Sequence, residues 1–321
     1  MQHVDDPSRE PALEELEPSP IEESPATFQG DGYFPSSAGA KDEEAATAAA
    51  ASARPGLLKR SSTVGLNSHS PAWYLNRIQK YSSYAFSVFA AFHIANTAII
   101  PLVTRSVPAS EPYLLLTRPY YQSPIAEPIV VILPLIAHIG SGFALRLYRR
   151  RQNLKQYGAE EKSDRRKVAW PKISATSKLG YLLVPLVFGH SFVNRIIPLW
   201  AEGGSSSINL GYVSHGFAKH PAVSIFGFGA LVTVAVWHSV WGWAKWLRLN
   251  PDSVTSGAYE GQISRKRRWY IINAVSTLAA GLWLAGGLGI VGRGGKAAGW
   301  IGKEYDELYR RIPIVGRWMA S

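Results

Sequence analysis

The sequence predicts an all-α membrane protein: five transmembrane helices, as two tandem helical hairpins plus one, behind a disordered N-terminal tail. Three observations predict it. Five stretches stay apolar for about 20 residues, which at about 1.5 Å per residue crosses a hydrocarbon core of about 30 Å. Each of the first four contains one histidine, and the third and fourth stretches echo the first and second. The cations gather at the ends of the apolar stretches, where they report topology.

Composition narrows the class. The mean hydropathy of −0.03 is an average of a polar first quarter and an apolar remainder. Residues 1–77 carry twelve Asp/Glu against six Lys/Arg, although the whole chain has a net charge of +11. Because the basic residues flank apolar spans, the charge points to anionic lipid headgroups and predicts no nucleic-acid partner. The absence of cysteine excludes disulfides and thiolate chemistry. Neither a basic n-region nor an Arg-rich transit peptide opens the chain, so targeting is expected to reside in the spans.

Residues 1–70 are acidic and rich in Pro, Ser and Ala, and cannot bury enough apolar surface to offset the entropy of ordering. Within them, Leu13, Leu16 and Ile21 flank Pro18 and Pro20. Such a Pro-x-Pro core is pre-extended and loses little entropy on docking in a groove. Residues 71–147 form the first hairpin repeat, with spans at 81–104 and 128–147. A basic loop, 148–178, leads to the second repeat, 179–247, with spans at 179–200 and 222–244. A second basic loop, 248–268, precedes the fifth span, 269–291, and residues 292–321 form an amphipathic tail with an interfacial helix expected near 304–311.

The connections set the orientation. Segments 146–178 and 245–268 hold eleven and six Lys/Arg, whereas 105–127 and 201–220 hold two and one. The positive-inside rule makes the basic loops and the N-tail cytosolic, and five spans put the C-terminal tail on the far side. The six Lys/Arg of that tail pull the other way.

The repeat is specific. FHIANTAIIPL (92–102) and GHSFVNRIIPL (189–199) share a histidine, an Asn three or four residues on, and IIPL at one fixed distance. His138 and His238 are each followed by Gly four and Ala six residues on. Repeats in the same orientation imply a pseudo-two-fold axis along the membrane normal. Counted from the cytosolic ends, His93 and His190 lie about 20 and 18 Å deep, and His138 and His238 about 12 and 11 Å. The histidines therefore pair by depth, His93 with His190 and His138 with His238. Arg195 interrupts the third span and must snorkel or pair.

Neutral imidazole is the commonest axial ligand of haem iron, and facing helices can supply one each. The four histidines are thus candidate haem b ligands, with Gly140, Gly142, Gly189 and Gly242 as small residues beside them. The alternative is a bundle in which each histidine bonds a neighbouring polar group. Another reading makes His93, Asn96, Ser141, His190, Asn194 and Arg195 a polar track for lipid headgroups, as in a phospholipid scramblase. Gly287 to Gly292 spells GxGxxG, but at the end of a span with no strand before it, so helix packing explains it better. No nucleophile–base pair, metal-hydrolase spacing or phosphate loop is present, which predicts a protein that is not an enzyme.

The stretch NRIQKYSSYAFSVFAAFHIANT (76–97), its copy around His190 and five spans behind an acidic tail resemble the fungal Mdm-ten-complementing protein one family of mitochondrial adaptors. The likeness covers roughly residues 72–291. It implies the mitochondrial outer membrane, lipid homeostasis, and recruitment of a bridge-like lipid-transfer protein of the vacuolar-protein-sorting type at contact sites. The family's docking motif falls on Pro18 and Pro20, with Leu13, Leu16 and Ile21 as apolar flanks. More distantly, the two hairpins resemble the cytochrome b anchor of succinate dehydrogenase and fumarate reductase. That likeness implies a haem b between His138 and His238, with His93 and His190 as a second pair. This chain lacks the third helix of that anchor's first half, and no iron–sulfur partner is evident.

Overall fold

A computed structural model describes residues 69–313, apart from Ser256 and Ala258. The Pro-x-Pro segment, with Leu13, Leu16, Pro18, Pro20 and Ile21, lies outside the described residues. Among the described residues five helices are long and apolar enough to cross a membrane: α1 (Pro71–Thr104), α3 (Glu127–Gln156), α5 (Ala175–Glu202), α7 (Pro221–Trp246) and α8 (Tyr259–Gly294). All five predicted spans are present, and each helix runs beyond its apolar stretch. The outward-facing side chains are apolar (Val88, Phe92, Ile136, Phe188 and Phe226 are exposed), as lipid contact requires.

Helix α1 packs along α3, and α5 along α7, so the two hairpins are as predicted. Helix α8 lies against α7 and the far half of α1. Its buried side is built from small residues. Gly286 meets the backbone carbonyl of Ala98, and Gly287 meets the Phe228 ring, each too closely to admit a Cβ. Close packing is therefore what Gly287 contributes to the apparent nucleotide fingerprint.

Four further helices join the spans: α2 (Val107–Gln122) and α6 (Leu210–Lys219) on one side of the bundle, α4 (Lys162–Lys167) on the other, and α9 (Gly299–Arg310) at the end. Ser106 and Asn209 cap α2 and α6 by accepting backbone N–H bonds from Ala109 and Tyr212. The basic loop is fastened down. Arg150 donates to the carbonyls of Arg165, Val168 and Ala169, and its guanidinium lies 5.0 Å from the Trp170 ring centre.

Helix α9 does not lie free at an interface as an amphipathic helix near 304–311 would. Its later turns pack on protein, with Tyr305, Leu308 and Tyr309 in one core with Ile197, Ile208 and Tyr212, while Trp300 and Ile301 of its first turn stay exposed. The Tyr212 and Tyr309 rings stack at 4.7 Å, and Tyr309 donates to the Tyr212 carbonyl. Docking on α6 puts α9 on the same side as the 105–127 and 201–220 connections. Asp306 accepts from Lys219 at 2.8 Å and from His215 at 2.9 Å.

Candidate functional site

The centre of the four-helix bundle is a column of histidines. The His93 and His190 rings lie 5.8 Å apart, and the His138 and His238 rings 6.0 Å apart. Each pair joins one hairpin to the other, α1 to α5 and α3 to α7. The pairing expected from depth is the pairing the fold makes.

Local backbone chemistry positions the first pair. Helices α1 and α5 each widen into a π-helical turn just after the histidine, at Ala95–Ile99 and Phe192–Ile196. Each turn ends two residues before a proline, Pro101 or Pro198. Proline removes an N–H and crowds the carbonyl four residues back, and a wider turn relieves both. Helix α3 repeats the device, with a π turn at Glu127–Ile132 ahead of Pro134. Side chains satisfy carbonyls at the widened turns. Asn96 donates to Phe92 O at 2.7 Å, Thr97 to His93 O at 2.7 Å, and Asn194 to His190 O at 2.8 Å. The two asparagines thus bond neighbouring carbonyls, one offset from the other, which matches their three- and four-residue spacing from the histidine.

The second pair is held differently. His138 Nδ1 lies 3.1 Å from the Gln79 carbonyl on α1, and His238 Nδ1 lies 3.0 Å from the Thr176 carbonyl on α5. Each imidazole is therefore tied to the helix beside it in its own hairpin. Gly180 makes room for one of them: a Cβ there would sit 2.8 Å from His238 Cε1.

Three of the four glycines singled out in the sequence have other places. Gly142 lets α3 approach the Gln79 amide, at 2.8 Å from its Cβ position. Gly140 and Gly189 are exposed with open space beside them, so they do not line the space between the histidines. Gly180 and Glu127 were missed. Gly180, one turn from Thr176, carries no signal except its place opposite the repeat histidine. Glu127 opens the second span and answers the unpaired Arg195 of the third.

Arg195 does pair. Its Nε donates to Glu127 Oε1 at 2.7 Å, a second guanidinium nitrogen donates to Glu127 Oε2, and the third reaches Ser205. The remaining polar residues of the supposed headgroup track are turned inward: Asn96 and Ser141 are buried, and Asn194 bonds its own helix. One groove of about 480 Å³ opens between α1 and α7, lined by Tyr84, Ser87, Val88, Ala91, Phe92 and Trp243 among others.

Outside the spans, burial raises the Glu111 carboxyl above its ordinary value, although the Leu210 N–H and Arg118 pull it back. Burial would also raise Asp306, but Lys219 and His215 outweigh it and hold that carboxyl low. Both groups tie α6 to neighbouring helices.

The second hairpin and α8 carry a likeness to a known family. Residues 185–296 match the family model of the MDM10-complementing protein 1 transmembrane domain. Over those residues the chain is similar to that family's transmembrane domain. The matched region holds His190, His238 and all of α6, and stops just before α9. His93 and His138 fall outside it and are related to it by the internal repeat. Among the described residues, the five candidate spans mark a multi-pass membrane protein. No curated protein and no solved structure matches the chain.

Proposed function

We propose that this protein is a non-enzymatic adaptor of the mitochondrial outer membrane. Its cytosolic N-terminal tail recruits a bridge-like lipid-transfer protein of the vacuolar-protein-sorting type to organelle contact sites. The observation that carries this reading is the family match of residues 185–296. The Pro-x-Pro segment supports it, because Pro18 and Pro20 with apolar Leu13, Leu16 and Ile21 have the chemistry of a pre-extended ligand. A bundle whose ends are tied by capped helices suits an anchor that must hold its place while the tail is pulled.

The test replaces Pro18 and Pro20 with Ala in the full chain and follows the bridge protein by microscopy. Loss of its mitochondrial pool, with the adaptor still in the membrane, is the expected outcome. Unchanged recruitment removes the docking assignment.

A further inference from the structure

The groove between α1 and α7 has a length and a rim that select its occupant. Tyr84, Val88 and Phe92 recur every fourth residue and share one row on α1, and Ser87, Ala91 and Ala95 form the adjoining row. Trp243 of α7 completes the lining and stacks on Tyr84 at 4.6 Å. The Ser87 hydroxyl is already committed, donating to Ser83 O at 2.8 Å and accepting from Trp243 Nε1 at 3.3 Å. What remains is an apolar slot of about 480 Å³, within the range of about 300–1,000 Å³ of ligand clefts. Both helices are spans, so the membrane rather than water fills it.

The length is that of one leaflet. From Tyr84 to Ala95 the helix rises about 16 Å, against about 15 Å for half of a hydrocarbon core. The far end is shut. Ala98, in the next turn, is fully buried, and Gly286 of α8 meets its carbonyl too closely to admit a Cβ. A transmembrane helix of a second copy would have to run on for about another 15 Å, into α8. An acyl chain of one leaflet ends where the groove does.

The near end carries charge. Lys80 lies one turn before Tyr84 in the same row, with its ammonium 5.7 Å from the Tyr84 ring centre. Among the described residues no carboxylate pairs with it. A cation one turn above an apolar slot complements a lipid that carries phosphate above its chain. A sterol brings a neutral hydroxyl and leaves the ammonium unanswered.

We propose that the groove holds one acyl chain of an anionic phospholipid from the leaflet at the Lys80 end, with Lys80 on the phosphate. The site lies in the bundle and not in the N-terminal tail, so this reading and the adaptor reading fail independently.

The test places the purified full chain in phosphatidylcholine vesicles with a trace of phosphatidylglycerol bearing a diazirine in one acyl chain. After irradiation, adducts are mapped by peptide mass spectrometry. They should concentrate on residues 84–95 and Trp243 over the lipid-facing Ile136, Phe188 and Phe226, and unlabelled phosphatidylglycerol should compete them away. Ala91→Trp fills the groove and should remove these adducts while leaving those at Phe188. Lys80→Glu should lower them by about fivefold or more, and Lys80→Arg should keep them. Adducts spread evenly over the lipid-facing residues would mean boundary lipid only and overturn the proposal. So would competition by cholesterol but not by phosphatidylglycerol, or undiminished groove adducts in folded Ala91→Trp or Lys80→Glu. A protein without groove adducts that elutes as a dimer, split by Ala91→Trp, would give the groove to a second copy instead. Should Ala91→Trp not elute as a single species, the wild-type map and the Lys80 variants decide.

Discussion

Where α1 faces α7, a fifth helix and a run of small residues close the bundle; where α3 faces α5, charged side chains do. On the first side α8 lies against both hairpins, with Gly286 on the Ala98 backbone and Gly287 on Phe228. Below it the helices part into the groove beside Tyr84 and Trp243. On the second side Glu127 and Arg195 bridge the hairpins, each with under a fifth of its side chain exposed. The internal repeat makes the hairpins equivalent, and the single copy of α8 makes their two seams unequal. One seam is set by shape and tolerates no added atom. The other is set by charge and tolerates no removal.

Substitutions can break that contrast. Gly286→Leu should be the most damaging, because the obstacle is backbone and cannot rotate away. We expect it to cost several kcal/mol, at or above about 4, seen as loss of protease resistance across α8. Glu127→Ala comes next. It leaves a nearly buried guanidinium unpaired, at about 3 kcal/mol, measured as a lower thermal midpoint in detergent. Arg195→Leu added to Glu127→Ala should recover most of the loss, and a double variant no better than the single would show that the seam is not held by charge. Trp243→Ala, at the open groove, removes a stacked partner of Tyr84 at 4.6 Å and a bond to Ser87. Its effect should be smaller, about 1–2 kcal/mol.

The smallest effect belongs to the cap outside both seams. Asp306 is held below its ordinary value in the folded protein, chiefly by Lys219 and His215 against the opposing pull of burial. Its contribution is therefore present above the ordinary carboxylate range and is lost as pH falls through the depressed value. Asp306→Asn should flatten that acid dependence and cost about 1 kcal/mol or less. Hydrogen exchange of residues 299–310 at neutral and acidic pH measures it.

Much of this was legible before any coordinates. Span positions follow from hydropathy, and the histidine pairs follow from counting residues to the nearest cationic end, since both rest on the fixed rise of a helix. The partner of Arg195 was not legible, because Glu127 reads as the last residue of a connection rather than the first turn of a span. The tail helix was read as lipid-facing because its apolar face is real; that Tyr305, Leu308 and Tyr309 cover α6 instead depends on where α8 delivers the chain. The glycines show the limit most plainly. Four near the histidines drew attention by adjacency, yet Gly180, on a neighbouring helix, touches a ring. Adjacency in sequence reports the same helix, whereas an imidazole is braced by the next one.

The widened turns after His93 and His190 have a geometric consequence. One residue added to a turn swings everything beyond it by about 100° around the helix axis. Each of these helices is thus two half-helices with separate azimuths sharing one axis. The near half can aim a histidine at the centre while the far half aims elsewhere, toward α8 at Ala98 in one copy and toward Tyr305 and Tyr309 around Ile197 in the other. A repeat that began with identical halves can diverge at the far rim without disturbing its centre, because the turn acts as a phase break between them.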